Sequence, residues 1–201
     1  MDYQKIAGDI LFGGDVLDNA ARGEFIEALT FDALLRHDVA LGQMRWHHIG
    51  KGWGPWDLQR GTAAAGDRVR FQVKTKASKQ LWTPEKPWQE YDLGHRTYKV
   101  VPKYFFRDFD QTVIGECEVH GYRADYFLLA WHENGPQSDP NTYAYFIVPV
   151  TDLHPTLAGP VKKIHINAVK ARKGHSFAEL PRAMNDAADA FLAGMRTPCE
   201  T

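Results

Sequence analysis

Two strongly apolar segments constrain the fold of this chain more than any other feature. The first is ADYFLLAWH, from Ala124 to His132, and the second is TYAYFIVPV, from Thr142 to Val150. The polar sequence ENGPQSDPN joins them and is rich in residues that favour turns. Both segments contain many aromatic and β-branched residues and are too apolar to face water on two sides. We therefore predict two strands within a covered sheet.

The length of the chain limits how many such sheets it can bury. With 201 residues, of which 44% are hydrophobic, it supports one well-buried domain rather than two independent ones. We predict a single domain over residues 1–201 with an α/β fold, in which helices flank a central mixed β-sheet. The formal net charge of -1 argues against a protein coated with positive charge, so any surface for nucleic acid must be local.

The compartment can be predicted from two further features. Cys117 and Cys199 are the only cysteines, which argues against a disulfide framework. The amino-terminal sequence MDYQKIAGDILFGGD has no apolar run of signal-peptide length, and no segment approaches the ~20 apolar residues of a membrane span. We expect a soluble, cytoplasmic protein that makes no membrane contact.

Helices are predicted near both ends of the chain. The first extends from Asp18 to Arg36, and its apolar residues recur at helical spacing, at Phe25, Ile26, Leu29, Ala33 and Leu34. The second extends from about Pro181 to Met195, with proline in the first turn, where its missing N–H costs nothing. The predicted order is therefore helix, strands, helix.

A β-hairpin is predicted around GTAAAGD, which has glycine at both ends of its turn. In the strand that follows, side chains alternate between the two faces, so Gln72, Lys74 and Lys76 lie opposite the apolar residues. A hairpin centred between residues 64 and 65 pairs position 57 with position 72. Asp57 then lies beside Gln72, although a shift of one residue would change this pairing.

This pairing brings a carboxylate, an amide oxygen and a lysine together. Mg²⁺ prefers oxygen ligands and takes few of them from the protein, with water and substrate phosphate completing its octahedron. Asp57 and Gln72 suit that requirement. A nearby lysine, Lys74, can hold or polarise an attacking water and offset charge on a phosphoryl group.

Asp57 followed by Gln72-Val73-Lys74 resembles the PD-(D/E)XK nuclease superfamily, in its Gln-x-Lys variant. The resemblance runs from about Gly23 to Trp82 by motif, and more loosely to Val150 by strand order. It implies a restriction-endonuclease-like core, with a helix before the site that often supplies a glutamate, and Glu24 occupies that place. Two features depart from the pattern: Trp56 separates Pro55 from Asp57, and Gln72 replaces an acid.

The resemblance implies a Mg²⁺-dependent endonuclease that hydrolyses double-stranded DNA, with Mn²⁺ as a possible substitute. Its metal ligands would be Asp57, Gln72 and Glu24, and Lys74 would orient the nucleophilic water. Cleavage of both strands requires two sites, so a homodimer is expected. The alternatives are a catalytically weak or inactive module of the same fold that binds nucleic acid or a partner, and a nuclease that cuts RNA.

The charge distribution supports a nucleic-acid surface independently of the motif. RVRFQVKTKASK contains five basic residues and no acid, and from it we predict phosphate contacts at Arg70, Lys76 and Lys79. A second basic segment follows later in the chain, at Lys162, Lys163, Lys170, Arg172 and Lys173.

Several residues have simpler interpretations, which stay open at this point. Gln72 and Lys74 also fit a solvated strand face, Glu27 fits the wet side of its helix, and Asp125 fits either the site or a strand cap. The tryptophans fit a core better than a base-stacking surface. Cys117 and His120 have half the spacing of a zinc site but no second half, which argues against zinc. The adjacent pair His47 and His48 could serve acid–base chemistry.

Overall fold

Three helices and nine strands are present in the described part of the chain. The computed structural model describes residues 19–49, 56–78, 90–92, 106–107, 113–115, 124–153 and 163–196. The helices are α1 (Asn19–Ala40), α2 (Ile166–Lys170) and α3 (Leu180–Arg196). The strands are β1 (Trp46–His48), β2 (Leu58–Arg60), β3 (Val69–Ala77), β4 (Glu90–Asp92), β5 (Phe106–Arg107), β6 (Val113–Gly115), β7 (Tyr126–His132), β8 (Tyr143–Pro149) and β9 (Lys163–His165).

Five of these strands form one mixed sheet in the order β1-β2-β3-β7-β8. All neighbouring pairs are antiparallel except β3 and β7, which run parallel. The two strongly apolar segments contain β7 and β8, and every residue of β7 is buried. The remaining strands form two small sheets, β4 with β9 and β5 with β6.

Helices cover both faces of the five-stranded sheet. Helices α1 and α3 pack on the face that carries Phe71, Val73 and Leu128. The opposite face, which carries Phe127 and Leu129, packs against the short helix α2 and the segment before it. The prediction of an α/β fold with a central mixed sheet flanked by helices is therefore confirmed at this level.

Helix α1 buries a row of residues spaced by four, as a 3.6-residue repeat requires. Ile26 and Leu34 are fully buried as predicted, but the other members of the row are polar: Arg22, Thr30 and Asp38. The buried arginine is satisfied in part by Gln137, whose side-chain oxygen accepts from Arg22 Nη1 at 3.1 Å. The helix continues four residues past the predicted end at Arg36, because Asp38 still has a buried partner.

The β2–β3 hairpin has the predicted register, with Leu58 opposite Phe71. Gly61 and Gly66 bracket the turn, and both adopt a positive φ of 68° that other residues rarely adopt. At Gly61 there is no room for a side chain, because an added Cβ would lie 2.4 Å from the Asp67 carbonyl oxygen. These two glycines thus fix where β3 begins and which of its residues face each side.

Within the described residues, no helix has the length and hydropathy to cross a membrane. The predicted carboxyl-terminal helix is present as α3, and Pro181 is its second residue. The predicted starting residue of α1, Asp18, lies outside the described residues.

Candidate active site

Asp57 lies at the point where β2 begins, and its side chain completes the hydrogen bonding of β3. The last registered pair of the hairpin is Leu58 with Phe71, so β3 extends beyond its partner strand. Asp57 Oδ2 accepts from the Val73 backbone N–H at 2.6 Å and from Gln72 Nε2 at 2.5 Å. The predicted proximity of Asp57 and Gln72 is thus present as direct contact.

The environment of Asp57 opposes its ionisation. Burial raises the pKa of this carboxyl to about 6, and the nearby charge of Glu27 contributes in the same direction. The Val73 N–H, the Lys74 ammonium and His48 act against the rise. These influences indicate that Glu27, Lys74 and His48 all lie within electrostatic range of Asp57.

Glu27 is the acid of helix α1 that faces this cluster. Its Oε1 lies 2.5 Å from His48 Nε2, and only 16% of its side chain is exposed. Burial raises the pKa of Glu27, and the charge of Glu24 adds to the rise, whereas His48 and Lys74 oppose it. A half-buried carboxylate from the helix therefore joins Asp57 and Lys74.

Glu24, which the sequence analysis places at the site, is exposed one turn before Glu27. Its position follows from helix geometry, since each residue turns the helix by about 100°. The angle around the helix axis between Glu24 and the buried row centred on Thr30 is about twice the angle between Glu27 and that row. This angular position, which can be read from the sequence, is the signal that distinguishes Glu27 from Glu24.

Gln72 and Lys74 extend from the same face of β3. The Gln72 amide directs its nitrogen at Asp57, so it is oriented as a hydrogen-bond donor and not as a ligand that shares an ion with Asp57. The Lys74 charge opposes the raised pKa of both Asp57 and Glu27, so its ammonium acts on both carboxylates. Lys74 therefore supplies the positive charge that this acidic pair lacks.

The donor set fits a loosely held Mg²⁺ better than a caged ion. No group of three or more His, Cys, Asp or Glu among the described residues is arranged to hold a metal. Mg²⁺, however, often uses one or two protein carboxylates, and the remainder of its shell is water and substrate phosphate. Asp57, Glu27 and the Gln72 amide oxygen supply hard oxygen atoms of that kind. An added cation would also offset the repulsion from Glu27, which adds to the effect of burial on the pKa of Asp57.

Arg70 is held within the protein by Asp125. Arg70 Nη2 and Nε donate to the two carboxylate oxygens of Asp125 at 2.6 and 2.9 Å, and the Arg70 backbone N–H donates at 2.8 Å. The guanidinium also lies over the Trp56 ring, 5.4 Å from its centroid. This bidentate pair gives Arg70 and Asp125 a structural role, and the phosphate contact of Arg70 stays a prediction.

The other predicted phosphate contacts are described only in part. Lys76 lies opposite Trp131 on the neighbouring strand and is half-buried. Lys79 lies outside the described residues. Within the first basic segment only Lys79 is not described, and Lys76 lies beyond Lys74 along the same strand face.

Two described residues of the second basic segment, Lys170 and Arg172, are paired with acids. Lys170 Nζ lies 3.1 Å from Glu133 and 5.3 Å from the centroid of the Trp131 ring, and Arg172 forms an ion pair with Asp152. Because Trp131 is the partner of Lys76 across β3 and β7, the two basic segments approach each other at this residue.

The remaining candidates have structural explanations or lie outside the described part. Trp46 and Trp56 are buried in the protein, which supports a core role over base stacking. Trp53, Trp82 and the pair Cys117 and His120, which has half the spacing of a zinc site, lie outside the described residues. Of the histidine pair, His48 contacts Glu27 at the site.

No protein-family model matches this chain, and no curated protein matches it in sequence. The functional interpretation therefore depends on the geometry of Asp57, Gln72, Lys74 and Glu27.

Proposed function

We propose that this protein is a Mg²⁺-dependent endonuclease with a restriction-endonuclease-like core, which hydrolyses phosphodiester bonds in double-stranded DNA. One observation carries the proposal: the Asp57 carboxylate is hydrogen-bonded to β3 beside Gln72, with Lys74 and Glu27 in electrostatic range. Two carboxylates and a lysine on rigid elements are what metal-assisted phosphoryl chemistry requires.

Each residue has a distinct task in this proposal. Asp57 and Glu27 would hold Mg²⁺, with the Gln72 amide as a third oxygen donor once its orientation reverses. When bound, the ion supplies Lewis-acid polarisation of the phosphate and a water of lowered pKa. Lys74 would orient that water by donating a hydrogen bond, and its charge would stabilise the negative charge that develops on the phosphoryl oxygens.

The proposed preference for double-stranded DNA and the proposed homodimeric state are inferred from chemistry alone. Lys76 lies two residues beyond Lys74 on the same face of β3, at a spacing of about 6–7 Å along the strand, and is suited to a phosphate next to the scissile one. Because one site cuts one strand, a double-strand break would need two copies of the chain.

A cleavage assay tests the proposal. Duplex DNA, single-stranded DNA and RNA would be incubated with the purified protein in Mg²⁺ or in EDTA, and products would be resolved by electrophoresis. We expect cleavage of duplex DNA in Mg²⁺ and none in EDTA. Lys74→Ala should lower the rate by ~10²-fold or more, since such charge-stabilising groups are worth that much. Arg182→Ala, which removes a side chain of α3 that is 84% exposed, should cleave as the wild type does.

The rival function is a non-catalytic module of the same fold that binds nucleic acid or a protein partner. The donor orientation of Gln72 favours it, because a neutral side chain that bonds to Asp57 adds no negative charge to attract a cation. Binding of DNA or RNA without cleavage of any substrate in Mg²⁺ or Mn²⁺ would support this rival and exclude the enzyme. Cleavage of RNA alone would identify an RNA-cutting nuclease.

A further inference from the structure

His48 has no task in the mechanism above, yet it joins two elements of the site. It is the last residue of β1, and its Nε2 lies 2.5 Å from Glu27 Oε1 on helix α1. Its ring also stacks on Phe31, one turn further along the same helix, with centroids 5.4 Å apart and planes inclined by 25°. The imidazole thus contacts α1 at two successive turns.

The same histidine is connected to the Asp57 side of the site. The residue after it, Ile49, donates its backbone N–H to the Asp57 carbonyl at 2.9 Å. The charge of protonated His48 also reaches the Asp57 carboxyl, where it opposes the raised pKa. His48 therefore lies between the helix that carries Glu27 and the residue that begins β2.

We propose that His48 is a positioning residue, which holds the Glu27 carboxylate towards Asp57 so that both acids can bind one divalent cation. The inference rests on the proposed function, because it assigns Glu27 to the cation. It does not depend on the charge of His48, since the neutral Nε2–H tautomer and the imidazolium both donate to a carboxylate. Without this bond the glutamate regains rotamers that point to solvent, and ordering it again opposes cation binding.

Groups that orient a metal ligand in this way contribute measurably to metal affinity. Loss of such an outer partner commonly weakens metal affinity by ~10- to 100-fold. His48→Phe keeps a ring that can stack on Phe31 but removes the donor, and His48→Gln keeps an N–H donor on a side chain of similar reach. His47→Phe is a matched control, because the neighbouring side chain points to the other face of β1.

The test is calorimetric titration of each purified variant with Mn²⁺, together with the Mg²⁺ concentration that gives half-maximal cleavage. We expect His48→Phe to weaken Mn²⁺ binding by ~10-fold or more and to raise the half-saturating Mg²⁺ similarly, while the rate at saturating Mg²⁺ changes less than ~3-fold. His48→Gln and His47→Phe should stay within ~3-fold of the wild type in Mn²⁺ affinity.

A double-mutant cycle separates positioning from general loss of structure. In a Glu27→Gln background the His48→Phe change should have no further effect on Mn²⁺ affinity, because the residue it positions is gone. Equal losses in both backgrounds would overturn the proposal, as would wild-type Mn²⁺ affinity in His48→Phe. Circular dichroism checks that each variant folds, and His48→Leu, which also lacks the donor, provides the test if His48→Phe does not fold.

The outcomes also distinguish the two proposals. Mn²⁺ binding that depends on His48 and Glu27, without cleavage of any substrate, would remove the nuclease function and leave the positioning role intact. Cleavage that requires Lys74 but does not respond to His48→Phe would remove the positioning role alone. A wild-type protein that binds no Mn²⁺ would remove both.

Discussion

Opposing effects act on the charged form of the Asp57 carboxylate. Two donors on β3, the Val73 N–H and the Gln72 amide, stabilise its charged form. Burial and the charge of Glu27 destabilise that form more strongly, and the pKa rises to about 6. A folded-state pKa above the ordinary value of about 3.9 means that the folded protein binds more protons than the unfolded one between these values. The free energy of unfolding therefore falls as the pH rises through this range.

Asp57→Asn should remove the free-energy cost of burying a charged carboxylate, because the amide keeps an acceptor oxygen but carries no charge. In EDTA at pH 8 we expect the variant to be more stable than the wild type by about 1–3 kcal/mol in urea denaturation. At pH 4, where the folded wild-type carboxyl is protonated, the difference should disappear. If the Asp57→Asn variant is less stable than the wild type at both pH values, the hydrogen bonds outweigh the burial of charge.

Glu27 and Glu24 can be separated by a pair of matched substitutions. Glu27→Gln should lower the rate of cleavage in Mg²⁺ by ~10²-fold, because it removes a carboxylate that faces Asp57 and Lys74. Glu24→Gln, on the exposed part of the helix, should keep the rate within ~3-fold of the wild type. The steady-state rates at saturating Mg²⁺ show which glutamate of α1 belongs to the site. A larger loss in Glu24→Gln than in Glu27→Gln would assign that role to Glu24.

At the scale of elements, the site depends on how helix α1 is attached to the edge of the sheet. Asp38 near the end of the helix is fully buried and accepts from the backbone N–H, Nε and Nη2 of Arg45. Burial raises the pKa of Asp38, but the hydrogen bonds and charge of Arg45 outweigh it and leave the pKa below its ordinary value. Arg45 also donates to Asn185 on α3, so this pair joins both helices to β1.

Arg45→Ala should destabilise the protein by about 3–5 kcal/mol, because it leaves the Asp38 charge buried without its partner. Arg36→Ala breaks a salt bridge to Asp32 whose side chains are 79% and 50% exposed, and it should cost less than about 0.5 kcal/mol. Urea denaturation of both variants at pH 7 measures the contrast. Similar losses in the two variants would refute a special role for the buried pair.

The hairpin depends on its two turn glycines to different extents. Both Gly61→Ala and Gly66→Ala place a Cβ at positive φ, which costs about 1–2 kcal/mol. At Gly66 the new atom meets open space, but at Gly61 it lies 2.4 Å from a backbone oxygen, and overpacking adds about 1–3 kcal/mol. Thermal denaturation should therefore rank Gly61→Ala below Gly66→Ala in stability, and equal melting temperatures would contradict this.

The hairpin and the two long helices could be predicted from the sequence because their signals are local. Alternation in RVRFQVKTKAS and a turn bracketed by glycines are enough to place Asp57 beside Gln72. The pairing of Arg70 with Asp125 could not be read in this way, since it joins residues 55 positions apart across parallel strands. Nor could the buried row of α1, in which Arg22, Thr30 and Asp38 occupy positions that hydrophobicity alone assigns to solvent.

At the scale of the whole molecule, three separate parts of the chain contribute to the site, where β3 extends beyond β2. Helix α1 contributes Glu27, β1 contributes His48, and the hairpin contributes Asp57, Gln72 and Lys74. The other basic groups are mostly engaged with acids, since Arg70, Lys170 and Arg172 all have carboxylate partners.

The central claim is that Asp57, Glu27, Gln72 and Lys74 form one metal-dependent site, and anomalous diffraction from crystals grown with Mn²⁺ and a duplex oligonucleotide tests it most directly. The claim predicts a Mn²⁺ peak about 2 Å from an Asp57 carboxylate oxygen, with an oxygen of Glu27 or Gln72 in the same shell and Lys74 facing the phosphate. A peak held by other residues, or a Gln72 amide that still donates to Asp57 with no ion beside it, would contradict the claim.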